Sequence, residues 1–271
     1  MKGERWRFVD SGARPGAENM AADEAMFEAH AAGESSPALR VYGWRPRAVS
    51  LGRFQRAESS VDPEACRRLG VDVVRRPTGG RAILHTEQEV TFSVVVSGKR
   101  LGTTGVMDSY RVLAGGIVAG LRRLGAEARL VERTGAGARP GGAQDPACFA
   151  VKARCDLVVG SSKLVGSAQV QRDGFILQQN SLPLRVDVGD WEEVFRRGRG
   201  APEALGLWDA AGRKVSYREA AEALREGFAE AFGVEFEEEG LSDWELARTR
   251  ELAAEAVVGA ERGGSGNGGG G

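Results

Sequence analysis

Trp6 and Phe8 alternate with Arg5 and Arg7, the period-two pattern of a half-buried strand over residues 5–9. From about Glu18 to Ala32 the period lengthens: Met20, Phe27 and Ala31 share one helical face, and Gly33 follows as a stop. Strand-like runs come next at Leu39–Tyr42 and Ala48–Leu51. Asp62-Pro63-Glu64 predicts an N-cap with proline at the first helical position, and Gly70 ends that short helix. Asp108 is placed to cap a long helix in which Tyr110, Leu113, Ile117, Leu121 and Leu124 recur at helical spacing before Gly125. Three more strand-like runs span Asp156–Val159, Lys163–Val170 and Gly174–Leu182. Beyond about Asp187 the pattern turns helical. Ser216-Tyr217-Arg218-Glu219 and Ser242-Asp243-Trp244-Glu245 both read as capping boxes, and Leu224, Phe228 and Phe232 form an apolar stripe.

Helices between the strands are too few for a doubly wound parallel sheet. The pattern predicts an α/β (α+β) fold with a mixed, largely antiparallel sheet flanked by helices. One domain is expected over residues 1–258, with a strand-rich core at about 38–215 and C-terminal helices at about 216–258. Residues 134–147, rich in Gly, Ala and Pro, read as a loop. The glycine-rich tail, 259–271, is expected to be disordered.

Composition narrows the function classes. A chain of 271 residues buries about 70–75% of its unfolded surface without staples. Net charge of −1 argues against a dedicated nucleic-acid binder. No apolar stretch reaches the ~18 residues of a membrane span, and the polar N-terminus is unlike a signal peptide. A cytoplasmic protein with reduced thiols is expected. Cysteines stand at 66, 148 and 155 without metal-ligand spacing, so neither a metal site nor a cofactor is expected. Nucleotide fingerprints are missing as well. There is no G-x-x-x-x-G-K-S/T loop, and Pro140 occupies the third glycine position after Gly135-Ala136-Gly137.

Candidate chemistry concentrates in two stretches. Arg75-Arg76-Pro77-Thr78-Gly79-Gly80-Arg81-Ala82-Ile83-Leu84-His85 reads as strand, Gly-Gly bend, strand; paired glycines let backbone approach a ligand closely. Downstream, Cys148 closes the Gly-rich loop, and Lys163 follows fifteen positions later. Only five of the 37 Lys and Arg residues are lysines, so an internal lysine stands out. A thiol with pKa near ~8.5 is only a few per cent thiolate at neutral pH, and a nearby ammonium raises that share. On residues alone, two readings of Lys163 stay open: a solvated strand-edge lysine, or the partner of a reactive thiol. Cys66 on its short helix reads as a small buried hydrophobe, and Cys155 opens an apolar strand where burial would leave it inert.

The 75–85 segment resembles the signature of the biotin/lipoyl protein ligase and octanoyltransferase superfamily. Asn19-Met20-Ala21-Ala22-Asp23-Glu24-Ala25 resembles its first helix. Arg40-Val41-Tyr42-Gly43-Trp44 and Ser50-Leu51-Gly52-Arg53-Phe54-Gln55 resemble the strands that follow. Within the superfamily, Cys148-Phe149, Asp156-Leu157-Val158-Val159-Gly160 and Lys163 to Gln169 are most similar to the LipM-type octanoyltransferases. In them, unlike the LipB type, the cysteine precedes the lysine. Gln179-Asn180 stands where the resemblance expects a His-Gly pair.

The resemblance implies an acyltransferase with a ligase-like fold. Octanoyl would pass from acyl carrier protein, through a thioester on Cys148, to a lysine of a lipoyl domain such as the glycine cleavage H protein, in lipoate biosynthesis. It implies Cys148 as the nucleophile and Lys163 as the residue that lowers its pKa and is a candidate base. Substrate binding is expected at Arg75, Arg76, Thr78, Gly79, Gly80, Arg81, His85, Gly166, Ser167 and Gln169. Two alternatives remain: an ATP-dependent lipoate ligase, and octanoyl transfer between lipoyl domains. Arg81 and Thr86 lean away from the ligase, whose signature carries Gly-Gly-Gly and His-Asp.

Overall fold

The structure, a computed structural model, describes residues 3–131, 156–186, 189–195 and 204–258. The strands are β1 (Glu4–Arg14), β2 (Ala38–Trp44), β3 (Ala48–Leu51), β4 (Asp72–Arg75), β5 (Ile83–His85), β6 (Glu89–Ser97), β7 (Arg129–Leu130), β8 (Leu157–Val159), β9 (Ser162–Arg172), β10 (Phe175–Pro183) and β11 (Val234–Glu238). The helices are α1 (Gly16–Ala31), α2 (Ala57–Ser60), α3 (Pro63–Arg68), α4 (Gly98–Leu101), α5 (Val106–Arg123), α6 (Gly189–Val194), α7 (Leu207–Ala211), α8 (Tyr217–Phe232) and α9 (Asp243–Ala256).

Eight strands form the main sheet in the order β11-β1-β2-β6-β10-β9-β8-β7, and β4-β3-β5 form a small second sheet. Pairing is parallel where β1 meets β2 and β11 and where β3 meets β4, and antiparallel elsewhere among the described strands. This is the expected mixed, largely antiparallel sheet with helices on its faces. β11 is an addition to the expected helical C-terminal part. Its Val-Glu-Phe-Glu-Glu alternation is a strand pattern, and it extends the sheet past β1. β1 also runs longer than residues 5–9, through a register shift between Asp10 and Ala13.

Register divides the chemistry between two faces, because side chains alternate along each strand. Arg40, Ser93, Gln179 and Ala168 form one cross-strand row, and Tyr42, Thr91, Ser181 and Gly166 the next on the same face. This polar face lies under α1. The opposite face carries Leu39, Val41, Phe92 and Val94, which join the main core under α5 and α8. Those two helices pack backbone to backbone: a Cβ on Gly227 would lie 2.2 Å from the Gly120 nitrogen. Gly116 receives the Phe228 ring, where a Cβ would meet it at 2.8 Å.

Several helix ends behave as the sequence implies. The Asp62 side chain accepts from the Glu64 and Ala65 amides, with Pro63 at the first helical position. Ser242 and Glu245 form a complete capping box. Two expectations are corrected. Asp108 lies in the first turn of α5, whose cap is Gly105, because the helix begins earlier, at Val106. Ser216 caps through the Glu219 amide, but the Glu219 carboxylate turns instead to Arg213, 2.6 Å away.

Candidate active site

The small sheet delivers the Gly-Gly bend. β4 ends at Arg75 and β5 begins at Ile83, and the seven residues between them are drawn in by two arginines. Arg76, 3% exposed, donates to the carbonyls of Ser50, Gly79 and Arg81 and to the Thr78 hydroxyl. Arg75 donates to the carbonyls of Gly52, Arg53 and Gln55. Both guanidinium groups thus shape backbone. The two segments touch at Gly52, where a Cβ would lie 2.0 Å from the Gly80 carbonyl oxygen, and Gly80 itself has φ +91°. Only glycine serves at either position.

Beneath the bend lies a small pocket. Thr91 of β6, Gln179 and Ser181 of β10 and Ala168 of β9 form its floor; Ser50, Arg76, Ile83, His85 and Met20 close it from above, and Tyr42 and Trp44 stand at the β2 end. Its lining residues are drawn from β9, β10, β6 and β2, strands that span three inter-strand steps or about 14 Å of the sheet. Gly166 leaves its place in the row beside Ser181 without a side chain.

His85 is fixed on both nitrogens. Nε2 is 2.8 Å from Ser50 Oγ and Nδ1 2.9 Å from Glu89 Oε1, while the ring stacks on Trp44 with centroids 3.9 Å apart. Thr91 donates to the same Glu89 carboxylate, and Trp44 Nε1 donates to Thr91 Oγ1 at 2.7 Å. These wall groups satisfy one another, whereas the buried Ser181 hydroxyl on the floor has no hydrogen-bond partner among the described residues.

A second buried network ties α1 to the bend. Asp23, 0% exposed, pairs with Arg40 at 2.7 Å and accepts from the Tyr42 and Ser93 hydroxyls and from Gln179 Nε2. Gln179 Oε1 in turn accepts from Thr78 at 2.7 Å. Burial, and then the Asp23 carboxylate, push the Tyr42 phenol well above its ordinary range, so it stays a donor. Asn19 adds bonds to Arg40 and to the Gly43 carbonyl.

Of the expected substrate-binding residues, Arg76 and His85 line the pocket, and Thr78, Gly79, Gly80 and Arg81 belong to the bend above it. Gly166 lies on the pocket face. The Ser167 and Gln169 side chains lie on the opposite face: Ser167 donates to Asn180, and Gln169 accepts from Ser109 of α5. Alternation along β9 puts both there, one position away from Gly166 and Ala168. Sequence reasoning missed Trp44, Tyr42, Ser50, Thr91, Asp23 and Gln179 as site residues. Asp23, Tyr42, Trp44 and Ser50 already sat inside quoted motifs; a charged residue at a core position of α1 was the available signal.

Lys163 is the second residue of β9 and is 1% exposed, with Nζ 2.8 Å from Asp156 Oδ1, itself 2% exposed. The solvated-edge reading of Lys163 is therefore excluded. Its carbonyl accepts from Leu205, anchoring the segment before α7. Cys148 and Cys155, the 134–147 loop and the glycine-rich tail lie outside the described residues. Cys66 is buried, and burial pushes its thiol upward, as suits an inert side chain. Among the described residues no cluster of three His, Cys, Asp or Glu is arranged to hold a metal ion. No described helix is long and apolar enough to cross a membrane.

Comparison with known proteins agrees with this layout. The model of the lipoyl protein ligase A/B catalytic domain matches residues 15–229. Octanoyltransferase LipM of Symbiobacterium thermophilum is 42% identical, with 95% of this chain and 96% of that protein aligned. Octanoyltransferase LipM of Kyrpidia tusciae is also 42% identical, over 94% and 97%. Among solved structures, a lipoate-protein ligase A bound with ATP superposes with a TM-score of 0.75 at 27% identity, over 94% and 95% of the two chains. A bipartite lipoate protein ligase from Thermoplasma acidophilum gives 0.70 at 25%, over 94% and 93%.

Proposed function

This chain belongs to the lipoyl protein ligase A/B catalytic domain family, and we propose that it is an octanoyltransferase of lipoate biosynthesis. It takes the octanoyl group from acyl carrier protein and delivers it to a lysine of a lipoyl domain, such as that of the glycine cleavage H protein. The observation that carries this reading is the buried ion pair between Asp156, which precedes β8, and Lys163 of β9, a strand that also lends Ala168 to the pocket. An ammonium withdrawn from water is held and oriented by the carboxylate beside it. Such a cation is suited to stabilising a thiolate.

In the first half-reaction the Cys148 thiolate attacks the thioester carbonyl. The bond from the acyl carbon to the carrier sulfur breaks, and the carrier thiol leaves with a proton. In the second, the lipoyl-domain amine attacks the acyl-enzyme, the amide forms, the amine loses a proton, and Cys148 is regenerated. One covalent intermediate shared by two half-reactions gives ping-pong kinetics. Lys163 holds the thiolate, gives its proton to the departing carrier thiolate in the first step, and as the neutral amine takes one from the attacking amine in the second. Asp156 partly offsets the Lys163 charge, which keeps the ammonium in place while limiting its pull on the thiol. A thioester is already activated, so no ATP is required.

Intact-mass spectrometry after mixing with octanoyl-acyl carrier protein tests the reading. The expected result is a gain of one octanoyl group, absent in Cys148→Ser. Turnover of free octanoate with ATP and magnesium that survives Cys148→Ser would identify a ligase instead. Labelling by an octanoylated lipoyl domain, but not by the carrier, would identify transfer between lipoyl domains.

A further inference from the structure

The turn that follows β3 is held from several sides. Arg75 donates to the carbonyls of Gly52, Arg53 and Gln55, the Arg53 amide donates to the Thr78 carbonyl, and the Gln55 side chain accepts from the Gly52 amide. Gly52 also abuts the Gly80 carbonyl, so the turn and the Gly-Gly bend form one unit. From this fixed backbone Phe54 projects with 86% of its surface exposed; the next most exposed large hydrophobic among the described residues, Val106, reaches 47%. The Phe54 ring adds nothing to the core. Arg53 stands 5.9 Å over it, and Arg56 follows two positions on.

Both of these arginines are exposed, and neither pairs with a carboxylate among the described residues. Other surface arginines do: Arg14 pairs with Glu18, Arg100 with Glu4, Arg123 with Glu226 and Arg248 with Glu28. Arg56 is the N-cap of α2 but makes no side-chain bond there, where Ser or Asp would serve. Beneath the turn, Arg75 bonds carbonyls, so its charge adds to theirs. Glu58 is the one carboxylate between residues 50 and 61, which leaves the patch basic.

An aromatic ring flanked by arginines has the composition of an interface hot spot. A pinned backbone lowers the ordering cost of docking. The charge calls for an acidic partner surface. Placement then chooses between donor and acceptor. A lysine reaches only by its four-carbon stem, so an acceptor must bring its own surface up to the acyl carbon. A carrier offers its acyl group on a long phosphodiester-linked arm and docks farther out. Gly80 meets Gly52 through its carbonyl, while a Cβ on Gly80 would lie 3.9 Å from the Cβ of Ala168 on the pocket floor. The bend thus stands between the turn and the floor, a separation that suits an arm.

We propose that Arg53, Phe54 and Arg56 are the docking site for the octanoyl donor, an acidic acyl carrier protein, on the outer side of the bend. This rests on the octanoyltransferase reading, and the test separates the two. Acyl-enzyme formation is timed from octanoyl-acyl carrier protein and from octanoyl-pantetheine, which bears the same thioester without the protein. Phe54→Ala should lower the second-order rate constant for the carrier by about 30-fold, the loss of one hot-spot side chain. Arg53→Glu combined with Arg56→Glu should lower it by about 100-fold at low ionic strength, and should abolish the decline with added salt that wild-type protein shows. Both variants should react with octanoyl-pantetheine at the wild-type rate, and the octanoyl-enzyme so formed should acylate a lipoyl domain as the wild type does.

Unchanged carrier rates overturn the proposal. Equal losses with both donors also overturn it, because the turn would then belong to the acyl site. A loss confined to the lipoyl-domain step overturns it in favour of the acceptor. If wild-type protein forms no acyl-enzyme from either donor, the transferase reading fails. Carrier affinity, read by fluorescence anisotropy, then decides the patch alone: weakened in both variants if it stands, unchanged if it falls.

Discussion

The two faces of the main sheet solve packing in opposite ways. Under α5 and α8 the contacts are mainly apolar, with one polar cluster around Ser109 and Gln169, and glycines let the helices close to backbone distance. Under α1 the same strands present Arg40, Ser93, Gln179, Tyr42 and Thr91, and the buried charge of Asp23 is consumed by them. An apolar face can repack around a small error, whereas a closed polar network holds one geometry or loses partners. The pocket under the bend lies on the second kind of face, which holds its wall and the bend in one geometry.

The difference is broken most severely at Asp23. Asp23→Ala leaves the buried Arg40 guanidinium without its carboxylate, and deprives Tyr42, Ser93 and Gln179 of an acceptor. Loss of one partner from a buried ion pair costs about 3–5 kcal/mol, so denaturant titration should show most of the protein's stability gone. Arg40→Met added to Asp23→Ala should recover part of it, because removing both charges is far less costly than stranding one. A double variant no more stable than Asp23→Ala would show that the network is not what holds α1 to the sheet.

On the other face, Gly227→Ala opposes two effects of different size. Helix propensity alone favours alanine over glycine by about 1 kcal/mol. The new Cβ, however, would sit 2.2 Å from a backbone nitrogen of α5, so the helices must part. Overpacking of that kind costs about 1–3 kcal/mol. A net loss of stability is expected, with acyl-enzyme formation per folded molecule unchanged. A stabilised Gly227→Ala would mean that α5 and α8 do not meet as described.

How far each face was legible follows from the same contrast. Helical spacing in Leu113, Ile117 and Leu121 announced the apolar face, and those residues are in the core. The short strands of the Gly-Gly bend were equally plain, because turn glycines punctuate the pattern. The pocket was harder to read. Its residues come from β2, β3, β5, β6, β9, β10 and α1, and sequence spacing carries no cross-strand register. Ser167 and Gln169 looked like site residues next to Gly166, yet alternation sends their side chains to the other face. Arg75 and Arg76 were expected to bind substrate, and their donors go to backbone carbonyls. Lys163 could not be told from an edge lysine until Asp156 was found beside it.

The subtlest way to sharpen the comparison is Thr78→Val, which keeps shape and removes one hydroxyl. That hydroxyl accepts from Arg76 and donates to Gln179, joining the bend to the Asp23 network. Arg76 retains its carbonyl acceptors, and Gln179 retains Asp23. The variant should therefore lose only about 1 kcal/mol, the net worth of one hydrogen bond. The lost bond holds a loop over the pocket and not a core element, so global melting should hardly move. The effect should fall on the site, as a fall of about fivefold in kcat/KM for the octanoyl donor, the equivalent of that energy. Equal losses in melting temperature and activity would make Thr78 a packing residue. A selective loss of activity would show that the polar face transmits its order to the bend.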